Sequence, residues 1–277
     1  TFANATGTLT FDQRFDAGDE DRVFTVHLRV RVADGPTAVG ALSHGNTLYN
    51  VATFTYNNGQ GAAKVLDDDA TAQYVDPQPT LSKAVSGVEG ANGTVTFTLT
   101  AGNTSGRPTL FDSVVYDCLP AGFTIPTPNF NASAGTATVS ANTCSVTGTG
   151  ANVRVNSNDP AGTGTLIVWN VGDIDAGAAG QRTLTFDAVV DQNAAGGASY
   201  TNSAQIIGHT LPDTLADASD RRGDRTTGAQ RDVPIAPATQ DKSVTPTSAP
   251  VGETVTYTLT TTIPANANYY FVDLKDQ

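Results

Sequence analysis

The sequence predicts an all-β protein made of tandem β-sandwich modules arranged end to end, and three observations carry that expectation. Charged residues are only 15% of the chain, and Gly, Thr, Ala, Val and Asn dominate, a composition of short strands and turns rather than of solvent-facing helices. Val95-Thr96-Phe97-Thr98-Leu99 and Val255-Thr256-Tyr257-Thr258-Leu259 alternate apolar and small polar residues, the two-residue period of a strand with one buried face. The same order of features then recurs along the chain, the mark of a repeat architecture.

The elements can be followed in order. Gly7-Thr8-Leu9, Ala17-Gly18, Phe24-Thr25-Val26-His27-Leu28 and Tyr49-Asn50-Val51-Ala52 form a first series of strand and turn signals. It closes at the stretch from Asp67-Asp68-Asp69 to Pro77-Gln78-Pro79, where proline stiffens the connection. A Lys83 strand follows, then a Gly93 turn, the Val95 to Leu99 strand, and a strand running through Asp117 into Leu119-Pro120-Ala121-Gly122. After an insertion from Phe123 to Asp159 the first series returns as Gly164-Thr165-Leu166, Ala176-Gly177, Leu184-Thr185-Phe186 and Tyr200-Thr201-Asn202-Ser203-Ala204. Beyond a second proline-bearing junction, from Arg231 to Pro237, the Lys83 series restarts with Lys242, Gly252 and Asp276. The expected domains are therefore residues 1–77, the back of one module; 78–237, a whole module; and 238–277, the front of a third.

Charge and motif content narrow the function. A net charge of −12 and a pI near 4.4 argue against nucleic acid and anionic membranes as partners, because phosphate binding needs a clustered basic surface. No apolar run approaches the roughly 20 residues that span a bilayer, and no basic-then-apolar leader opens the chain, so Thr1 reads as an internal cut. His27, His44 and His209 are scattered, and no nucleophile motif such as G-x-S-x-G accompanies them. No catalytic set is expected, and the chain does not read as an enzyme.

The repeat instead singles out a lysine and an aspartate. Lys83 and Asp117 are 34 residues apart, as are Lys242 and Asp276, although the chain has only four lysines. Strand parity puts Lys83 on a face with Leu81 and Val85, Asp117 with Val115 and Leu119, and Asn202 with Tyr200, Ala204 and Ile206. Each polar residue thus lies on the apolar side of its strand. A buried charge is costly unless it is paired or neutralised, and desolvation drives lysine toward the nucleophilic amine and aspartate toward the neutral acid. A neutral Lys83 could attack the Asn202 side-chain carbonyl, with Asp117 relaying the proton and ammonia leaving, to give an intramolecular Lys–Asn isopeptide bond. In the alternative reading Lys83 pairs with a rim carboxylate, Asp117 caps a turn and Asn202 bonds to backbone.

Lys83 on a first strand, Asp117 just before Leu119-Pro120-Ala121-Gly122, and Asn202 within Tyr200-Thr201-Asn202-Ser203-Ala204 resemble the Ig-like repeat modules of bacterial surface adhesins, pilus backbones and large repetitive surface proteins. In the crosslinking members of that group a lysine near the module start joins an asparagine on the last strand, assisted by a buried acid. The resemblance implies those roles for Lys83, Asn202 and Asp117, with Lys242 and Asp276 beginning the next site and Asn50 ending the previous one. It also implies an extracellular, cell-surface location and a structural part in a fibre, stalk or adhesin, with neighbouring modules or subunits of the same protein as partners. The alternative is an adhesin module whose loops recognise a glycan or protein ligand of the host or cell surface.

The remaining candidates are weaker. Cys118 and Cys144 flank a loop-forming segment outside any Cys/His cluster; they pair as a disulfide if the chain is exported and otherwise stay as buried thiols. No cofactor is required, but calcium is possible: Asp67, Asp68, Asp69 and Asp76 form one acidic group and Asp213, Asp217, Asp220 and Asp224 another. A solvated acidic loop has the same composition. An Arg222-Gly223-Asp224 tripeptide invites an adhesive reading, although its charges can equally pair locally. The insertion from Phe123 to Asp159 is the one candidate for an enlarged binding loop.

Overall fold

The computed structural model describes residues 25–27, 29, 45–57, 61–87, 90–126, 130, 136–214, 222–264 and 272–276, and among them all regular structure is strand apart from two short 3-10 turns. The chain divides into two compact units, Thr1–Asp76 with Thr210–Gly223, and Pro77–His209 with Asp224–Gln277. In the first unit, β1 (Thr47–Tyr56) and β2 (Lys64–Gln73) form an antiparallel hairpin.

The second unit holds two antiparallel sheets. The smaller has β3 (Pro79–Ser86), β4 (Thr94–Asn103), β10 (Arg182–Val190) and the short β6 (Phe123–Thr124), in the order β3-β4-β10-β6. The larger contains β5 (Leu110–Leu119), β7 (Thr136–Thr147), β8 (Arg154–Asn156), β9 (Gly164–Ile174), β11 (Ser199–His209) and β12 (Asp224–Pro234). Its order is β12-β11-β5-β9-β7-β8. Placing β3, β4, β10 and β6 on one sheet and β5 with β11 and β12 on the other matches the division of an immunoglobulin-type sandwich. A separate hairpin of β13 (Thr239–Thr245) and β14 (Thr256–Thr262) follows.

Alternation decides which faces meet. On β4 every second residue from Val95 is buried, and Phe97 faces its register partner Phe186 on β10 with ring centroids 5.0 Å apart. Val115 of β5, Ile167 and Trp169 of β9, and Ala204 and Ile206 of β11 close the core from the other sheet. Each fully buried Phe or Leu contributes about 1.5–3 kcal/mol, so this layer supplies most of the cohesion between the sheets.

The insertion does not project as a loop. β7 joins β9, β8 joins β7, and Val153 and Val155 pack with Cys118, Cys144 and Leu166 in a second, smaller cluster. Cys118 and Cys144 are disulfide-bonded with Cα atoms 5.9 Å apart. Gly164 passes beneath the bridge, where a Cβ would lie 2.5 Å from the Cys118 sulfur.

Both outer hairpins repeat registers found in the sandwich. Asn50 faces Ala70 four positions into β1, as Asn202 faces Arg231 four positions into β11. Lys242 faces Leu259 and Val244 faces Tyr257, as Lys83 faces Leu99 and Val85 faces Phe97.

Candidate functional site

β3 is an edge strand, paired only with β4, and it runs beside β11 and β12 of the opposite sheet. This position lets Lys83 keep a partly exposed backbone while its side chain is wholly buried. The amine crosses the core to Asp117 Oδ2, and both side chains are 0% exposed. Asp117 faces Ala204 on β11, which makes Asn202 its diagonal neighbour on the same face, within reach for side-chain contact. Asn202 is also fully buried. The strands therefore bring together the three residues singled out by parity.

Other buried polar side chains satisfy themselves. Asn103 donates to Pro108 O at 2.8 Å and Ile174 O at 3.2 Å and accepts from Gln78 N at 2.9 Å. Gln205 accepts from Val155 N at 2.8 Å, Ser203 accepts from Gln230 at 3.0 Å, and Ser113 donates to Leu110 O at 3.4 Å. The trio does not. Among the described residues the buried side-chain atoms without a hydrogen bond are Asp117 Oδ1, both amide atoms of Asn202, and Trp169 Nε1. An unsatisfied buried polar group costs about 1–3 kcal/mol, so three such atoms in one cluster demand a chemical reason.

Electrostatics points the same way. Burial pushes the Lys83 amine below its ordinary pKa, against the opposing attraction of Asp117. Burial likewise raises the Asp117 carboxyl, opposed by Lys83 and more weakly by Asn202, which is near but outside hydrogen-bond geometry. Phe97 and Phe186 form a floor with ring centroids 5.0 and 5.7 Å from the amine. A cation over an aromatic face gains about 0.5–2 kcal/mol, less than the several kcal/mol lost on desolvating an ion. Burial thus shifts the pair toward a neutral amine and a neutral acid, against the attraction between their charged forms.

The alternative local roles are not found: Asp117 lies within β5 instead of capping a turn, Lys83 meets an acid of the core, and Asn202 has no backbone bond. One expected detail is corrected. Asn202 is on β11, the penultimate strand of its sandwich, with β12 following. The lysine floor was missed in the sequence, although a signal existed: Tyr257 repeats Phe97, and Lys242 sits 5.0 Å from its ring centroid.

The partial sites are more open. Lys242 pairs with Asp276, with side chains 42% and 49% exposed, and Asn50 is exposed on β1. The first group of calcium candidates is spread by its strand. Asp67, Asp68 and Asp69 are consecutive residues of β2 rather than a loop, so they alternate between faces and cannot converge on one ion; among the described residues no acidic or His/Cys group could hold a metal. Asp224 Oδ1 lies 2.8 Å from His209 Nδ1, and Arg222 donates to Leu211 O at 3.0 Å, so both charges of the tripeptide have local partners. Asp217 and Asp220 lie outside the described residues. No described helix is long and apolar enough to cross a membrane.

No family model matches the sequence, and no curated protein matches it. Solved structures do. A C-terminal fragment of the major pilin of Streptococcus agalactiae aligns at 10% identity and TM-score 0.33, over 59% of this chain and 57% of that one. The major pilin SpaD of Corynebacterium diphtheriae aligns at 12% identity and TM-score 0.33, over 73% and 62%. AvmM, which catalyses macrocyclization in alchivemycin A biosynthesis, aligns at 10% identity and TM-score 0.28, over 59% and 92%. The chain thus spans about three-fifths of the two pilin structures.

Proposed function

We propose that the chain is a structural segment of an extracellular bacterial surface fibre, stalk or adhesin. Its Ig-like modules stand in tandem, and a self-formed Lys83–Asn202 isopeptide bond locks the complete one. The observation that carries this reading is the cluster of unsatisfied buried atoms on Asp117 and Asn202 beside Lys83. The neutral Lys83 nitrogen bonds to Asn202 Cγ, the Cγ–Nδ2 bond breaks, and a proton passes through Asp117 to the departing nitrogen, which leaves as ammonia. Asn202 Nδ2 is then gone, and the new amide oxygen accepts from the Asp117 hydroxyl, so one reaction removes all three unmet groups. Electrostatic placement of the acid stabilises the developing oxyanion, while the aromatic floor keeps water out.

Intact mass and peptide mapping test the reading. A linked peptide containing Lys83 and Asn202, short by one ammonia, is expected in the native chain and absent from Asp117→Ala. Recovery of the two peptides unlinked from the native chain sinks the covalent reading. The loop-recognition alternative has less to support it, because apolar residues of the insertion pack inward, Phe123 and Phe130 at the sandwich core and Val153 and Val155 in the disulfide cluster.

A further inference from the structure

Past Cys144 the insertion becomes an arm laid across the outer face of the larger sheet. β7 leaves its pairing with β9 there, and Ser145, Val146 and Thr147 pair instead with Asn156, Val155 and Arg154 of β8. The arm lies outside the core, because its contacts Cys118 and Gln205 alternate with the core-facing Asp117 and Ala204. Its base is tied to β5 by the Cys118–Cys144 bridge. Its middle is held by β11, where Val155 N donates to Gln205 Oε1 at 2.8 Å. Its tip, the 3-10 turn Gly150–Asn152, rests on β12. There Gly150 N donates to Gln230 Oε1 at 3.0 Å, and Gln230 Nε2 donates in turn to Ser203 Oγ at 3.0 Å. β12 makes room at the crossing: a Cβ on Gly228 would lie 2.5 Å from Val153 Cβ, and Val153 is fully buried.

We propose that this arm is a latch on β12, the strand by which the chain leaves the sandwich, and that the Cys118–Cys144 bridge holds the latch shut. β12 is an edge strand, bonded on one side to β11. To open, it has to part from β11 and also draw Gly228 and Gln230 out from under the arm. With the bridge closed the arm cannot follow, since its base is fixed to β5, two strands inward in the order β12-β11-β5. Without the bridge the arm lifts together with β12, and its contacts no longer resist the opening. The latch thus gives a task to the insertion and to the disulfide. It acts on the strand after Asn202, so it does not rest on the Lys83–Asn202 bond.

Hydrogen exchange of the 277-residue chain, read in peptides covering Asp224–Pro234, tests the latch, because exchange there follows local opening of β12. Gln230→Ala and Gly228→Val should each speed exchange in β12 about tenfold, the loss of one hydrogen bond with its packing, and leave β4 and β10 unchanged. Strands favour Val over Gly, so propensity alone predicts slower exchange in Gly228→Val. With Cys118 and Cys144 both replaced by Ala the arm is already loose, and adding Gln230→Ala should change β12 exchange less than about twofold. Unchanged β12 exchange in either variant that keeps the bridge, or acceleration spread equally over β4 and β10, overturns the latch. An equal effect of Gln230→Ala with and without the bridge overturns the proposal that the bridge holds it. Where the cysteine-free chain does not fold, the native chain reduced after folding serves as the unbridged background.

Discussion

Pulling the chain by its ends should reveal the crosslink as missing length. Without a Lys83–Asn202 bond, unfolding the sandwich from Pro79 to Pro234 with its disulfide intact releases about 130 residues, or about 470 Å at about 3.6 Å per residue. With the bond, the residues from 83 to 202 stay closed, and only β3's first residues and the stretch from Asn202 to Pro234 extend: about 36 residues, or about 130 Å. The disulfide lies inside the closed loop. Reduction should therefore leave the native step unchanged and add about 90 Å, for its 26-residue separation, only in Asp117→Ala. Single-molecule force extension reads both quantities. A native step near 470 Å, or a native step that grows on reduction, refutes the bond.

Other perturbations read separate parts of the structure. Replacing both Cys118 and Cys144 by Ala should cost about 3.5 kcal/mol on the loop-closure estimate for a 26-residue separation, measured by urea unfolding in a chain that lacks the isopeptide. Gly164→Ala drives a methyl into the Cys118 and Cys144 sulfurs, and a loss of about 1–3 kcal/mol is expected from overpacking; unchanged stability would show that the bridge moves freely. The pH dependence of unfolding separates linked from unlinked sites. In the linked module Lys83 no longer titrates and Asp117 has lost the charge that opposed its raised pKa. Its contribution is then fullest below the unfolded Asp value of about 3.9 and falls with rising pH until the folded pKa is passed. In Asn202→Ala the raised Asp117 gives the same fall above the unfolded Asp value, and the depressed Lys83 adds a rise as pH approaches the unfolded Lys value of about 10.4. The linked module should lack that alkaline rise; the same rise in both proteins would contradict the assignment.

Much of the site was legible because strand parity is a local property. Lys83, Asp117 and Asn202 each share a face with apolar neighbours two residues away, and that alone sends them inward. What parity cannot supply is the order of strands. Whether Asn202 stood on the last or the penultimate strand depended on the path from Thr210 to Gly223 and the return of β12, whose sequence, Thr226-Thr227-Gly228-Ala229-Gln230, has little apolar alternation. Asp67-Asp68-Asp69 misled for a related reason: three acids in a row suggest a loop by composition, yet cross-strand pairing with Ala52 and its neighbours holds them in β2. The insertion read as a possible recognition loop because Gly, Thr, Ser and Asn dominate it, while the apolar residues that anchor it, among them Phe123, Phe130, Val153 and Val155, find their partners only on other strands.

The position of Asn202 on β11 rather than β12 shapes how such a module would bear load. Tension on the chain reaches the sandwich through β3 and β12, edge strands of opposite sheets, each bonded to a single neighbour. Between the sheets only side-chain packing acts, and it resists shear weakly compared with a covalent bond. A Lys83–Asn202 bond joins the sheets through the core just inside the first edge strand, so the load bypasses β4, β5, β9 and β10. It leaves β12 outside, held by its eleven-residue register on β11. That ladder is then the part that yields first: β12 peels, the 25 residues after His209 extend by about 90 Å, and the strand can zip back onto an intact β11 whose partner β5 has not moved. A bond to β12 itself would remove that compliance, while a bond to any earlier strand would expose more of the core on each extension. Placed on β11, the crosslink leaves a short reversible spring in series with a locked sandwich.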